Sequence, residues 1–186
     1  MIYPIVAYGH PILKKRAAEI SPDYPELKQL VEDMFETMYH SEGVGLAAPQ
    51  INLPIRVFVV DADDFKEKYP EGEGFKRAFV NPQIIEEDGE NWFFNEGCLS
   101  VPGIHEDVAR KQRVHLKYQD VDFNEHDEWF EGICARVIQH EYDHLEGKVF
   151  TDRLSSINKL LIKKKLNEIL SGKVEHSYKM IFGNGK

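Results

Sequence analysis

The segment Gln139-His140-Glu141-Tyr142-Asp143-His144 sets two histidines four residues apart, with a glutamate directly after the first. On a helix the two imidazoles project from one face and can hold one metal ion. A carboxylate beside the first ligand can take a proton from metal-bound water, so the segment is equipped for metal-assisted hydrolysis. His-Glu-x-x-His also arises by chance on polar helix faces, so a third ligand decides its meaning.

A zinc-protease site of the extended type, His-Glu-x-x-His-x-x-Gly-x-x-His, would need histidine six residues past His144. Gly147 fits that pattern, but the position holds Phe150. A downstream glutamate ligand would have to be Glu168, which lies in a lysine-rich stretch beyond a polar turn. Upstream, Glu96-Gly97-Cys98-Leu99-Ser100 places a thiol among small residues, where backbone can approach an ion closely. A cysteine with two histidines leaves a fourth position open, the arrangement of a catalytic zinc-type site rather than a closed structural one.

These residues need elements to position them. Leu27, Leu30, Val31, Met34, Phe35 and Met38 recur at helical spacing, which predicts a helix from about Pro25 to His40, capped by Ser21 or Asp23 and ended by Gly43. Arg56 to Val60 reads as a buried strand, and Asp61 to Lys76 as a charged exposed loop marked by Gly72 and Gly74. Phe79-Val80 and Gln83-Ile84-Ile85 read as further strand, with Pro82 at an edge or bulge. Val114 to Tyr118 alternates as a half-buried strand with Glu128-Trp129-Phe130 paired nearby. The helix that carries the histidines runs from about Ile133 to Leu145, stopped by Gly147, and Ile133, Val137, His140, Glu141 and His144 share one stripe. A last helix spans about 155 to 170, with Ile157, Leu160, Leu161, Leu166 and Ile169 beside Lys163-Lys164-Lys165. Together these predict one α+β domain over residues 1–186. Mixed antiparallel β-sheets pack around a central metal-binding helix, with an N-terminal helix and, from about residue 155, a basic C-terminal helix and tail.

Length supports one well-packed core. No run of about 18 apolar residues and no signal-peptide pattern occurs, which predicts a cytoplasmic chain with no membrane span. In that compartment Cys98 and Cys134 are expected as thiols. A formal net charge of −9 argues against a protein that coats DNA or RNA. The charge is uneven: from Lys159 to Lys186 seven lysines stand against Glu168 and Glu175, so residues 1 to 158 carry −14.

Three separated segments in order resemble the motifs of peptide deformylase: Gly43-Val44-Gly45-Leu46-Ala47-Ala48-Pro49-Gln50, then Glu96-Gly97-Cys98-Leu99-Ser100, then Gln139 to His144. The resemblance extends from Gly9-His10-Pro11-Ile12-Leu13 to about Leu154 and is loose between Asp61 and Lys76 and in the tail. It implies removal of the formyl group from the N-terminal formylmethionine of new polypeptides, with one divalent metal held by Cys98, His140 and His144. The family implies Fe2+ in the cell, with Zn2+, Ni2+ or Co2+ possible in purified protein; spacing alone does not choose among them. Metal-bound water would attack the formyl carbon, Glu141 would act as general base and then as general acid, and formate would leave. The Gln50 side-chain amide and the Leu99 backbone N–H would stabilise the oxyanion, a contribution of about 10²–10³ in rate per donor.

Substrate contacts are expected from Gly43, Val44, Gly45, Glu96 and Gly97. The glycines would let an extended peptide bind by strand-like hydrogen bonds. Val44, Ile133 and Val137 would line the methionine slot. Glu96 is expected to pair with Arg110. Where many relatives carry arginine seven residues after the cysteine, this chain has His105, so no peptide-gripping role carries over to that position. The basic last helix is either a solvated face or, as in some bacterial relatives, a surface for docking on the ribosome.

Ordinary readings stand beside these. Alone, Cys98 would be a small buried hydrophobe and Gln50 a loop amide; their joint occurrence with the histidine motif reverses that. Cys134 reads as packing, Met34 and Met38 as helix core, and His10, His40, His105, His115, His126 and His176 as ordinary histidines. A zincin-like peptidase would need a downstream ligand. A non-catalytic peptide-binding module would need a missing base or oxyanion donor, and Glu141 and Gln50 are both present.

Overall fold

The computed structural model describes residues 1–183, so Lys186 of the basic tail lies outside the described residues. Chain order is β1 (Ile5–Val6), α1 (Leu27–His40), β2 (Gly45–Ala47), β3 (Val57–Asp61), β4 (Lys76–Cys98), β5 (Val101–Gln119), β6 (Glu125–Glu131), α2 (Gly132–Leu145), α3 (Ser156–Leu170) and β7 (Met180–Ile181). Strands β2-β3-β4-β5-β6 form one antiparallel sheet in that order, and β1 pairs with β7 in a small parallel one. The α+β class with mixed sheets and terminal helices is as expected from the sequence.

Strand β3 shows why the sheet forms where it does. Its apolar run is buried on both faces: Phe58 and Val60 join the cluster under α2 with Ile133, Val137 and Ile138, whereas Val57 and Val59 join α1 through Leu30, Met34 and Met38. A strand covered on both sides has no polar face to display, so it reads as continuous hydrophobe rather than alternation. Each such side chain contributes roughly 1.5–3 kcal/mol when fully buried. Phe58 stacks on Phe79 of the neighbouring strand with ring centroids 4.7 Å apart, tying β3 to β4.

The strand segments expected around Phe79 and Ile84 lie on one 23-residue strand, and its ladder slips between Val80 and Gln83. Pro82 therefore occupies a bulge. Glu128-Trp129-Phe130 pairs with Leu116, His115 and Val114 as expected. Strand β4 ends at Cys98, and the two-residue turn Leu99–Ser100 leads into β5, with Cys98 opposite Val101. The thiol thus sits at the tip of a long hairpin, a placement local patterning did not reveal.

The cap expected of α1 needs correction. Helix α1 begins at Leu27, its N-cap is Glu26 in a left-handed conformation (φ 53°), and no side chain caps it. The helix ends at His40 as expected, and the Gly43 N–H donates back to the Met38 carbonyl at 2.9 Å. In α3, Ile157, Leu160 and Leu161 are 69–75% exposed, while Ile162 and Ile169 are the buried pair. That helix therefore packs on the body from Ile162 onward. Among the described residues no helix is long and apolar enough to cross a membrane.

Candidate active site

Helix α2 carries most of the site and is held at both ends by residues far away in sequence. At its start Gly132 adopts φ +59°, where a Cβ would lie 1.9 Å from Oε1 of Glu71. That oxygen accepts the Ile133 N–H at 2.9 Å, so Glu71, in the loop expected only to be exposed, supplies the cap the local sequence lacks. At the other end Arg56 donates to the Leu145 carbonyl at 3.4 Å and pairs with Glu146 at 2.8 Å. A cation there suits the negative end of the helix dipole.

On this helix His140 and His144 face Cys98. Candidate ligand atoms of the three residues all lie within 4.8 Å of one another, and Cys98 Sγ is 3.4 Å from His144 Nε2. Bonds of about 2.0–2.3 Å to one ion bring ligands to this scale of separation. Burial would push the Cys98 thiol up, but His144 and His140 beside it bring it down to about 5. A thiolate is therefore available at neutral pH, the state a metal needs. The donor set fits a borderline-soft divalent ion.

Behind the ligands lies a buried ionic network. Glu96 Oε1 meets His140 Nδ1 at 2.7 Å, which leaves the other ring nitrogen toward Cys98. Arg110 holds the same carboxylate with two bonds of 2.7 and 3.0 Å, and Arg136 adds a third at 2.7 Å. Burial opposes the charge on Glu96, but His140 and Arg110 hold its carboxyl far below the usual range. Arg110 also donates to Asp143 at 2.9 Å, and Arg153 grips Asp143 at 2.6 and 2.7 Å. The expected Glu96–Arg110 pair is present. Glu96 is 4% exposed with both oxygens engaged, so its carboxylate orients a histidine and is not free for the peptide contact expected of it.

Glu141 lies beside the ligands at 4% exposure, and its Oε2 has no hydrogen-bond partner among the described residues. Burial, only partly offset by His140 and His144, raises its carboxyl to about 7. Gly45 backs directly onto it: a Cβ there would fall 2.4 Å from Glu141 Oε1. Gly43 likewise backs onto Leu99, and Gly97 onto the His105 ring. Gln50 is 1% exposed. Its Oε1 accepts the Ala47 N–H at 2.9 Å, which turns Nε2 toward Ser100 Oγ at 3.1 Å and Cys98 Sγ at 3.5 Å.

All of this opens into a cleft of about 780 Å³ lined by Gly43, Val44, Gly45, Gln50, Glu96, Gly97, Cys98, Leu99, Val137, His140 and Glu141. Ile133, expected in the methionine slot, is fully buried in the core under the sheet and does not line the cleft. The apolar wall instead includes Phe65 and Phe94 with Val44 and Val137. Sequence reasoning also missed Arg136, Ser100 and Tyr178. The first could have been suspected as an arginine one helical turn before His140 in an otherwise apolar stretch, and the second as a hydroxyl two residues past Cys98. Nothing local marks Tyr178.

A thiol and two imidazoles converging beside a buried carboxylate, in a cleft of about 780 Å³, are the residue set of a metallohydrolase. The family model described as polypeptide deformylase matches residues 2–160. A peptide deformylase of Flavobacterium johnsoniae is 53% identical over 100% of this chain and 98% of its own length. Among solved structures, a Plasmodium falciparum peptide deformylase in complex with an inhibitor aligns at 37% identity, covering 90% of this chain and 99% of that one with a TM-score of 0.79. The enzyme from Thermotoga maritima aligns at 41% identity over 83% and 99% of the two chains with a TM-score of 0.75. This chain belongs to the peptide deformylase family. It is an enzyme that hydrolyses the formyl–methionine amide, removing the N-terminal formyl group.

Proposed function

We propose that Cys98, His140 and His144 hold one catalytic divalent ion and that Glu141 carries the proton in deformylation of nascent polypeptides. The observation that carries this reading is the buried Glu141 oxygen without a partner beside three converging ligand atoms. When bound, the ion supplies Lewis acidity that lowers the pKa of water toward about 7. Glu141, poised near neutrality, accepts a proton from the attacking water and returns it to the leaving amine nitrogen, since an acid–base group works best with its pKa near the working pH. Gln50 Nε2 and the Leu99 N–H receive the charge that develops on the formyl oxygen. The amide C–N bond breaks, and formate and a free N-terminal methionine leave. Val44, Val137, Phe65 and Phe94 take the methionine side chain, the backbone of Gly43, Gly45 and Gly97 lines the cleft for the peptide while their missing Cβ leaves space for Leu99, Glu141 and His105, and Glu96 fixes the His140 ring.

The ion is Fe2+ in the cell, and Zn2+, Ni2+ or Co2+ can take its place in purified protein. Metal analysis of anaerobically prepared enzyme, with activity after reconstitution, tests this; highest activity with zinc overturns the iron assignment. The substrate places the enzyme with nascent chains in the cytoplasm, and exposed Lys163, Lys164 and Lys165 on α3 are the surface for docking on the ribosome. Neutralising the three lysines then lowers co-sedimentation with ribosomes; unchanged binding refutes it. The function itself is tested by formate release from formyl-Met-Ala with Glu141→Ala as control. Metal-replete protein that releases none, or Glu141→Ala at full rate, overturns the mechanism.

A further inference from the structure

The family match ends at residue 160, yet the chain runs on past α3 and returns to the cleft. Helix α3 closes with Gly172 N–H donating to the Ile169 carbonyl at 3.0 Å and Lys173 N–H to Glu168 at 2.9 Å, a cap that turns the chain sharply. Glu175, His176, Ser177 and Tyr178 then form one wall of the cleft. Beyond them β7 zips onto β1: Ile5 N–H donates to Lys179 and Ala7 N–H to Ile181, both at 2.8 Å. Phe182 is buried in the cluster of Val101, Ile104 and Val108. Residues 173–182 therefore form a strap pinned at both ends.

The strap reaches the turn that follows Cys98. The Tyr178 hydroxyl donates to the Leu99 carbonyl at 2.7 Å. The same turn is held from two other sides, by Tyr8 N–H on the Ser100 carbonyl at 2.7 Å and by Gln50 Nε2 on Ser100 Oγ at 3.1 Å. Tyr8 lies two residues past β1, the strand that β7 pairs with, so strap, β1 and turn make one connected unit. Two peptide planes meet at Leu99. With the later one held through its carbonyl, the aim of the earlier one, which carries the Leu99 N–H, depends only on the two backbone rotations at Leu99 itself. Burial, and secondarily the nearby Cys98 charge, push the phenol up to about 12, so the hydroxyl stays a donor at working pH.

We propose that Tyr178 is a positioning residue for deformylation, holding the Leu99–Ser100 turn so that the Leu99 N–H points at the developing oxyanion. This rests on Leu99 and Gln50 being the oxyanion donors. Removing one preorganised donor costs about 10²–10³ in rate, and loosening one costs part of that.

Four full-length proteins loaded with the same metal decide it: wild type, Tyr178→Phe, Lys179→Ala and Gln50→Ala, each measured for kcat and KM on formyl-Met-Ala, metal content and thermal midpoint. The phenyl ring keeps the packing and loses only the hydroxyl. The expected result is an about tenfold lower kcat for Tyr178→Phe with KM within about twofold and full metal content, a wild-type Lys179→Ala, and a kcat about 10²–10³ lower for Gln50→Ala. Wild-type kcat in Tyr178→Phe, a change in KM alone, or a fall matched by metal loss overturns the role of Tyr178, while a defective Gln50→Ala leaves the oxyanion reading standing. Full activity in Gln50→Ala overturns the oxyanion reading itself.

Discussion

Gly45→Ala is the sharpest test of Glu141 as proton carrier. Gly45 is buried in β2 opposite Val60, and its φ is not in the left-handed region, so alanine suits the backbone and the ladder. The added methyl is what cannot be accommodated: it would lie 2.4 Å from Glu141 Oε1 and 2.8 Å from both Cδ and Cγ. Restoring ordinary contact requires the carboxylate to move by about 1 Å, and a displacement of that size costs about 10²-fold in rate. Overpacking adds a stability cost of about 1–3 kcal/mol, which at about 2–4 °C per kcal/mol lowers the thermal midpoint by several degrees. The nearest atoms to the new methyl belong to Glu141 and not to Cys98, His140 or His144, so metal content stays at the wild-type level. The assay is formate release, read as kcat and KM, on Gly45→Ala, Glu141→Ala and the double variant. If the methyl acts through Glu141, the double variant is no slower than Glu141→Ala alone, because the two changes remove one function. Undiminished kcat in Gly45→Ala, or a further large loss in the double variant, refutes the reasoning.

Other perturbations probe the network around the site. Glu96→Gln keeps the shape but strips the charge that faces Arg110, Arg136 and His140. Denaturant unfolding is expected to show a loss of about 3–5 kcal/mol, and chelator competition a metal affinity 10–100-fold weaker; wild-type values in both would remove Glu96 from its orienting role. Cys98→Ala should fold yet lose its metal on dialysis, read by elemental analysis, and full retention would point to a third ligand elsewhere. Glu71→Ala leaves the Ile133 N–H without its partner and should cost about 1 kcal/mol, a fall of about 2–4 °C in thermal midpoint, with kcat unchanged.

What could be read from the sequence follows from how far apart the cooperating residues lie. His140, Glu141 and His144 are legible because one helical repeat puts them together, and Cys98 because the failure of Phe150 as a ligand sends the search upstream. Helix α2 is legible from its period, and strand β3 from a short unbroken apolar run. The partners that make the site rigid are not, since each is joined to it only by tertiary folding: Glu71 caps α2 across 62 residues, Arg136 reaches Glu96 across 40, and Tyr178 reaches Leu99 across 79. The same distance misled the reading of Ile133. It lies on the stripe that leads to the ligands, but a helix stripe is wider than a cleft, and its N-terminal end meets the sheet core under Phe58 and Val60 rather than the substrate wall. In α3 the apolar repeat does not by itself give burial: Ile169 is buried, whereas Ile157, Leu160 and Leu161 are exposed. The division has a chemical counterpart. On the proposed mechanism the legible residues touch the reacting atoms, so removing one should abolish a step; the hidden ones hold those residues in place, and removing one should scale the rate without changing the reaction.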